Sequence, residues 1–338
     1  MADIVKTFRA NFIEARFTSL VAVIGVLAMR LLLFYRHGIP DVAVSDTGFL
    51  WQYIAPFFAN PIASFAGGTV SVFVIAALIS NLNSRFSLIR FRTNLPFAVP
   101  LFLFSLHPYF LAMTPDYVAV ILLLTAIHSL VKSYQQPDTQ FNSFRSAILI
   151  GTAGLFQLYA LLLLPIWWRG EIAMRGLQPK SFFTSVFGAF LVYLSVFSVY
   201  FLLDDVQGFL NPFLRFAHIS LPDIYYLTPF EWAGALSVFL FFAIYILLIF
   251  NISIRVKVLT FTISKFVIVI IVLFFIFHVI YWRDTMFFFL TNIALIAYLV
   301  AYYHSIATSR AHVFWAYGMM LLLLMYYFLN SFIFNAPP

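Results

Sequence analysis

Long apolar segments separated by short polar ones run along the whole chain. An α-helix needs about 20 mostly apolar residues to cross the hydrocarbon core of a bilayer. The pattern predicts spanning helices, because backbone groups at that depth must be hydrogen-bonded within the segment. We predict spans over residues 19–35, 63–79, 95–112, 117–131, 182–203, 232–250, 266–282, 286–303 and 313–334.

The segment 146–168 is compatible with two structures, a single tilted span or two short helices that fold back near Gln157–Tyr159. Cytoplasmic loops of membrane proteins carry an excess of Lys and Arg, which discriminates between them. A fold-back places fifteen of the nineteen Lys and Arg residues on one side, and a single span places only ten there. We therefore predict a broken-helix hairpin, about eleven membrane helices in all, a cytoplasmic N-terminus and an outer C-terminus.

The same topology also separates the acidic residues, which the positive-inside argument did not require. Eight of the twelve Asp and Glu residues fall on the outer face, mostly in two long loops at 36–62 and 204–231. These eight are Asp41, Asp46, Asp116, Asp204, Asp205, Asp223, Glu231 and Asp284. The sequence thus predicts that any acidic chemistry belongs to the outer face.

Composition supports an all-α polytopic membrane bundle and excludes a soluble enzyme domain. Hydrophobic residues make up 64% of the chain and charged residues 9%, whereas soluble domains carry about 25% charged residues. The net charge of +7 comes from short loops between apolar spans, so we attribute it to membrane topology and not to nucleic-acid binding. We expect a single transmembrane domain over residues 1–338, with residues 1–18 as an in-plane amphipathic helix in place of a signal peptide.

The first external loop carries two candidate catalytic acids. Asp41 and Asp46 precede the apolar stretch 49–58, which is expected to form a helix on the membrane surface. A carboxylate held at that boundary can act as a base or hold a cation. Helix capping is an equal alternative for Asp46. For Asp41 we favour a functional role.

Other charged residues are candidates for substrate binding. Arg30 lies inside an apolar span, where a charge usually faces a partner or a cavity. Phosphate binding and snorkelling towards the membrane surface beside Arg36 are equal alternatives for it. Asp116 follows Pro115 in a tight turn, where helix capping already accounts for it. The second long loop adds Arg215 and His218.

The order of these elements carries a resemblance. A span, an acidic loop and a returning span are followed by the tight turn HPYFLAMTPDYVAVILLLTAIHSL and the glycine-containing segment IGTAGLFQLYALLLLPIWW. This layout resembles the GT-C superfamily of membrane glycosyltransferases. The chain also resembles a family of bacterial polytopic inner-membrane proteins of unknown function. The likeness covers roughly residues 15–205. It implies a GT-C-like module over residues 1–205, with 206–338 as additional C-terminal transmembrane helices.

The resemblance implies a transferase in the bacterial inner membrane that moves a sugar from a polyprenyl-phosphate-linked donor to an acceptor at the outer face. Asp41 or Asp46 would then be the catalytic base, or a ligand of a divalent cation in some branches of the superfamily. No metal ligand set is assigned. The residues expected to bind substrate are Arg30, Arg36, His37, Asp116, Arg215 and His218.

The sequence also departs from the superfamily pattern. Many such enzymes carry a basic residue in the broken-helix turn, where this chain has Phe156–Gln157. Two alternatives therefore stay open. One is a non-catalytic membrane subunit of a secretion, motility or envelope complex, bound to other membrane proteins. The other is a transporter of lipid or polyprenyl phosphate, which would be expected to carry polar groups near the midplane and an internal repeat.

Overall fold

The computed structural model describes residues 3–15, 18–40, 48–89, 93–136, 140–214, 219, 229–253, 257–282, 286–306 and 309–333. Over these ranges the protein is all-helical, with fourteen α-helices and no strand. The helices are α1 Asp3–Phe8, α2 Thr18–His37, α3 Trp51–Phe58, α4 Pro61–Phe86, α5 Leu95–Leu103, α6 Pro115–Lys132, α7 Gln140–Phe156, α8 Leu163–Arg175, α9 Pro179–Leu202, α10 Val206–Leu214, α11 Pro229–Ser253, α12 Val258–Ile280, α13 Met286–Ser305 and α14 Arg310–Ile333.

Seven of the described helices are long and apolar enough to cross a membrane, namely α2, α4, α6, α9, α12, α13 and α14. Helix α11 contains a shorter apolar stretch at Leu236–Phe250. The protein is therefore a multi-pass membrane protein. The number seven is smaller than the eleven membrane helices predicted, partly because α7 and α8 have only 17 and 13 residues.

The structure differs from the predicted span 95–112. Helix α5 ends at Leu103, and the chain continues without regular structure except for a short 3₁₀ turn at Pro108–Phe110. Pro108 prevents the helix from continuing through this segment, because it has no backbone N–H to extend the hydrogen-bonding pattern. This interruption exposes carbonyl groups that another element must satisfy.

The predicted amphipathic N-terminus is helical, as α1 followed by a π-helical turn at Arg9–Ile13. Its apolar face packs against protein: Phe8 and Ile13 are buried in one cluster with Leu95, Ala301 and Val313. A helix of this kind, lying flat on a membrane, would turn the same face to lipid. Here that face is instead covered by side chains from α5, α13 and α14.

The described chain divides into two compact units. Unit 1 consists of Met1–Ala43, Pro56–Thr114 and Ile293–Pro338. Within it, the Tyr327 hydroxyl donates to the Met29 carbonyl at 3.0 Å, and the Arg36 guanidinium donates to the Ser331 carbonyl at 3.2 Å. Residue numbers rise together along both helices between these contacts. Helices α2 and α14 therefore run parallel.

Unit 2 consists of Val44–Ala55 and Pro115–Asn292. Its centre is the group α6–α9, in which α7 packs along both α6 and α9. Glycines allow the close approach of α7 and α9, since Gly188 faces Phe144 and Gly154 faces Tyr193. These two contacts also show that α7 and α9 run parallel, because residue numbers increase in the same direction along both.

Helices α7 and α8 form a hairpin. Near its open end, the Arg175 guanidinium donates to the Ser143 hydroxyl at 2.6 Å, and the Gln135 amide donates to the Met174 carbonyl at 3.3 Å. The end of α8 thus returns to the start of α7 and the end of α6. The chain reverses after Phe156, through Gln157 in an extended conformation and a 3₁₀ turn at Leu158–Leu162. The fold-back lies where the sequence predicts it.

Candidate functional site

A buried carboxylate and a buried amide meet at the tip of the α7–α8 hairpin. The Gln157 side chain donates from Nε2 to Oδ1 of Asp116 at 2.8 Å. Both residues are buried, Asp116 to 5% exposure and Gln157 to 1%. A buried carboxylate is costly unless it is hydrogen-bonded. The contact therefore joins the N-terminus of α6 to the turn of the broken helix.

Local backbone geometry turns Gln157 towards Asp116. The Gln157 amide donates to the Ala153 carbonyl at 2.9 Å, and its own carbonyl accepts from the Ala160 amide at 3.0 Å. Between these two hydrogen bonds the residue has φ −145° and ψ 105°, so α7 stops at Phe156. An extended residue directs its side chain away from the helix that it ends, and here that side chain reaches α6.

Residues 48–50 of the first long loop lie on the same turn. The amides of Phe49 and Leu50 both donate to the Leu155 carbonyl, at 2.7 and 3.1 Å. Carbonyls in the last turn of a helix lack partners within the helix, so residues 49–50 cap α7. Gly48 allows this approach, since a β-carbon there would collide with the Leu155 and Phe156 carbonyls.

Phe49 is anchored by aromatic residues from two later elements. Its side chain is 2% exposed. Four rings surround it, from Tyr193 and Tyr200 of α9 at 6.2 and 5.9 Å and from Phe209 and Phe213 of α10 at 5.7 and 6.0 Å. Since α10 belongs to the second long loop, the two loops that hold most of the predicted outer acids meet at Phe49.

The opposite end of α6–α9 is basic. Lys132 ends α6, Arg145 lies in the second turn of α7, and Lys180 begins α9. In α8, Arg175 bonds to Glu171 at 2.8 Å, and both side chains are buried. Burial raises the pKa of the Glu171 carboxyl, although the Arg175 charge and hydrogen bonds from Arg175 and Ser143 act in the opposite direction. Apart from Glu171, which is paired with Arg175, the helix group thus has basic residues at this end and Asp116 at the other.

Arg30 lies in unit 1 and is completely buried. Its guanidinium donates to the Thr69 hydroxyl at 3.1 Å and to the carbonyls of Phe104 and Phe110, both at 2.9 Å. The two carbonyls belong to the irregular segment that follows α5. Arg30 therefore satisfies the backbone of the interrupted span. Its predicted phosphate-binding role stays a prediction, and it would require some of these hydrogen bonds to be released.

Arg36 and His37 lie together at the end of α14. Arg36 Nη1 donates to the Ser331 carbonyl at 3.2 Å, and Nε2 of His37 lies 3.2 Å from the same oxygen. The Arg36 guanidinium also lies 4.0 Å from the centre of the Phe332 ring. Both side chains therefore cap the C-terminus of α14, where the charge of Arg36 is also favoured. Arg36 remains exposed, which leaves its other donors accessible to a ligand.

Asp41, Asp46, Arg215 and His218 lie outside the described residues, so their roles stay predictions. The structure brings Arg36 and His37 together in unit 1, and it places Asp116 in unit 2. Sequence reasoning marked Gln157 as a turn but missed its bond to Asp116, and it missed Phe49 as an anchor. In the described ranges, no group of three or more His, Asp or Glu residues could hold a metal.

The fold and this site define a class, a multi-pass helical membrane protein with a buried acid–amide pair at the turn of a broken helix. Comparison with protein families, curated proteins and solved structures finds no match for this chain. Its resemblance to the GT-C superfamily therefore stays a prediction from the order of its elements.

Proposed function

We propose that the chain is a membrane glycosyltransferase that moves a sugar from a polyprenyl-phosphate carrier to an acceptor at the outer face of a bacterial inner membrane. The observation that supports it best is the capping of α7 by Phe49 and Leu50, in the stretch 48–50. These residues directly follow the segment that carries Asp41 and Asp46. They bind the turn whose Gln157 holds Asp116. Residues 48–50 of the first loop and the carboxylate of Asp116 thereby meet at one turn.

The reaction assigns a different role to each acid. Asp41 or Asp46 accepts the proton of the acceptor hydroxyl as its oxygen bonds to the anomeric carbon of the sugar. The bond between that carbon and the phosphate oxygen breaks, and polyprenyl phosphate leaves with the electron pair. Asp116, oriented by Gln157, accepts a hydrogen bond from a sugar hydroxyl.

Two observations support the proposed orientation in the membrane. The basic end of α6–α9 is assigned to the cytoplasm by the positive-inside rule, which assigns the Asp116 end to the outer face. The parallel course of α2 and α14 agrees with a cytoplasmic N-terminus and an outer C-terminus, since both helices would then cross outward. The first of these observations supports a site on the side where extracytoplasmic acceptors are found.

Single Asp→Asn variants test the mechanism. We expect Asp41→Asn or Asp46→Asn to lower the transfer rate by about 10²–10⁴-fold, because a general base contributes that much. Asp116→Asn should chiefly raise KM. The assay uses purified protein in nanodiscs, a panel of polyprenyl-phosphate sugars and extracted envelope acceptors. Asp204→Asn is the matched control, since Asp204 is exposed and Asn tolerates its positive φ of 54°.

Correct folding of each variant is checked by size-exclusion profile and melting temperature. Wild-type rates in both the Asp41 and the Asp46 variants would eliminate the base mechanism. Absence of transfer by the wild-type protein with every donor in the panel would count against the transferase itself.

A non-catalytic membrane subunit is the second candidate. The observation in its favour is that Arg30 and Asp116, two of the predicted substrate-binding residues, are held by hydrogen bonds from within the protein. A subunit would retain a stoichiometric membrane-protein partner during purification in mild detergent. It would also keep that partner, and its cellular role, in the Asp41 and Asp46 variants.

A further inference from the structure

We propose that Phe49 is a positioning residue that anchors residues 48–50, which directly follow the segment carrying Asp41 and Asp46 in sequence, to the broken-helix turn. This inference rests on the proposed function for its catalytic consequence. The anchoring itself does not depend on that function. It is carried by the contacts of residues 48–50 with α7, α9 and α10.

The anchor has a polar and an apolar part. The polar part is the pair of hydrogen bonds from the Phe49 and Leu50 amides to the Leu155 carbonyl, which fix the direction of the backbone. The apolar part is the Phe49 ring, which packs in one cluster with Leu155 and Leu158. The capped helix and the buried ring therefore belong to the same turn, next to Gln157.

The residues around Phe49 come from distant parts of the sequence. Helix α10 contacts Phe49 through Phe209 and Phe213, and those two rings lie 5.3 Å apart. Tyr200 also accepts a weak hydrogen bond at 3.5 Å from the side chain of Gln52, at the start of α3. Aromatic pairs of this geometry are stabilising beyond their buried area. One side chain thus couples the first loop, the second loop and the hairpin.

A simple structural role and a positioning role predict different kinetics. Substitution of a residue that only stabilises the fold lowers the amount of active protein without changing the kinetic constants of the molecules that remain folded. Loss of an anchor for a catalytic base alters the geometry of the reacting groups, which lowers kcat with little change in KM. Phe49→Leu retains an apolar side chain in the cluster, so it should restore part of the kcat lost in Phe49→Ala.

The natural absence of cysteine allows a test that needs no substrate. Leu155→Cys places one thiol in the cluster that contains the Phe49 ring, where the natural Leu155 is 7% exposed. We expect Phe49→Ala to raise its labelling rate by a water-soluble maleimide roughly tenfold or more, since removing a buried Phe destabilises its surroundings strongly. Gly48→Ala should do the same by displacing the backbone. Phe57→Ala is the matched control, because Phe57 is 70% exposed.

The labelling rate and the kinetic constants test different parts of the proposal. Equal labelling of the introduced thiol in the Phe49→Ala, Gly48→Ala and Phe57→Ala backgrounds would overturn the anchor, whatever the protein does. Increased labelling together with an unchanged kcat would confirm the anchor and overturn its positioning role. If the wild-type protein transfers no sugar, the labelling result still stands, and only the proposed function is lost.

Discussion

Within α2, the guanidinium of Arg30 donates hydrogen bonds to backbone carbonyls of the irregular segment after α5. A continuous helix would satisfy such carbonyls from its own backbone. The guanidinium donates to neutral oxygens, those of Thr69, Phe104 and Phe110. Arginine suits this task because its donors form a rigid fork that stays charged. A charge inside an apolar helix thus has a structural explanation as well as the functional one that the sequence suggests.

We expect Arg30→Leu to destabilise the protein by about 2–5 kcal/mol, because it leaves two buried carbonyls without their donor. Arg30→Lys should be intermediate, since one ammonium cannot reproduce the fork. Thr69→Val removes one acceptor and should have the smallest effect. The measurement is the apparent melting temperature in detergent, followed by tryptophan fluorescence. A wild-type melting temperature for Arg30→Leu would show that these hydrogen bonds do not support the fold.

The residues that could be predicted from sequence are those that differ from their immediate neighbours in charge or polarity. Arg30 is recognisable as a charge in an apolar run, and Asp116 as an acid after a helix-starting proline. Their partners are not recognisable. Gln157 lies 41 residues from Asp116, and the Phe110 carbonyl lies 80 residues from Arg30. A backbone oxygen has no signature in the sequence, so only the fold reveals such contacts.

At the scale of the element, the hairpin α7–α8 could be predicted because charge placement depends on how often the chain crosses the membrane. The basic residues that decided the topology do lie at the open end of the hairpin, with Arg175 beside Ser143. The end of α5 could not be placed in the same way. Apolar residues continue past Leu103, so hydropathy gives no sign of the break that precedes Pro108.

Glu171 at that open end makes stability depend on pH. Burial raises its pKa in the folded protein above the unfolded value of about 4.3. The folded state therefore binds this proton more tightly. The resulting stabilisation is complete below pH of about 4.3 and is lost as the pH rises through the folded pKa. Glu171→Gln cannot titrate and should not lose this contribution.

The measurement compares melting temperatures of the wild type and Glu171→Gln from pH 4 to pH 8. We expect the melting temperature of the variant to rise relative to that of the wild type as the pH increases. The substitution also leaves Arg175 without its carboxylate, which shifts the melting temperature by an amount that does not depend on Glu171 titration. Glu14→Gln is the control, since the Glu14 side chain is 54% exposed. A difference between wild type and Glu171→Gln that shrinks or stays constant with pH would contradict this assignment.

At the scale of the whole molecule, the multi-pass architecture followed from composition alone, because a chain with 9% charged residues cannot form a soluble surface of ordinary composition. The division into two units did not follow. Unit 1 is assembled from three separate stretches of sequence, including the last helix. No linker or change in composition marks those boundaries, so periodicity indicates one continuous domain.

The orientation in the membrane gives a direct test in intact cells. Lys180, the second residue of α9, and Asp204, just after its end, are both exposed and lie at opposite ends of this helix. In the cysteine-free chain, we expect an impermeant maleimide to label Asp204→Cys strongly and Lys180→Cys only after the membrane is opened. The reverse pattern would place the acids in the cytoplasm and remove the case for an outer-face transferase.

The interleaved sequence of unit 1 has a consequence for biogenesis. Tyr327 and Met29 are 298 residues apart, so α2 leaves the translocon long before α14 has been synthesised. The partners of Arg30 follow much sooner, at separations of 39 to 80 residues. The hydrogen bonds of Arg30 can therefore form early in synthesis. Docking of α14 alongside α2 must be a late event, after the residues of unit 2 have already left the ribosome.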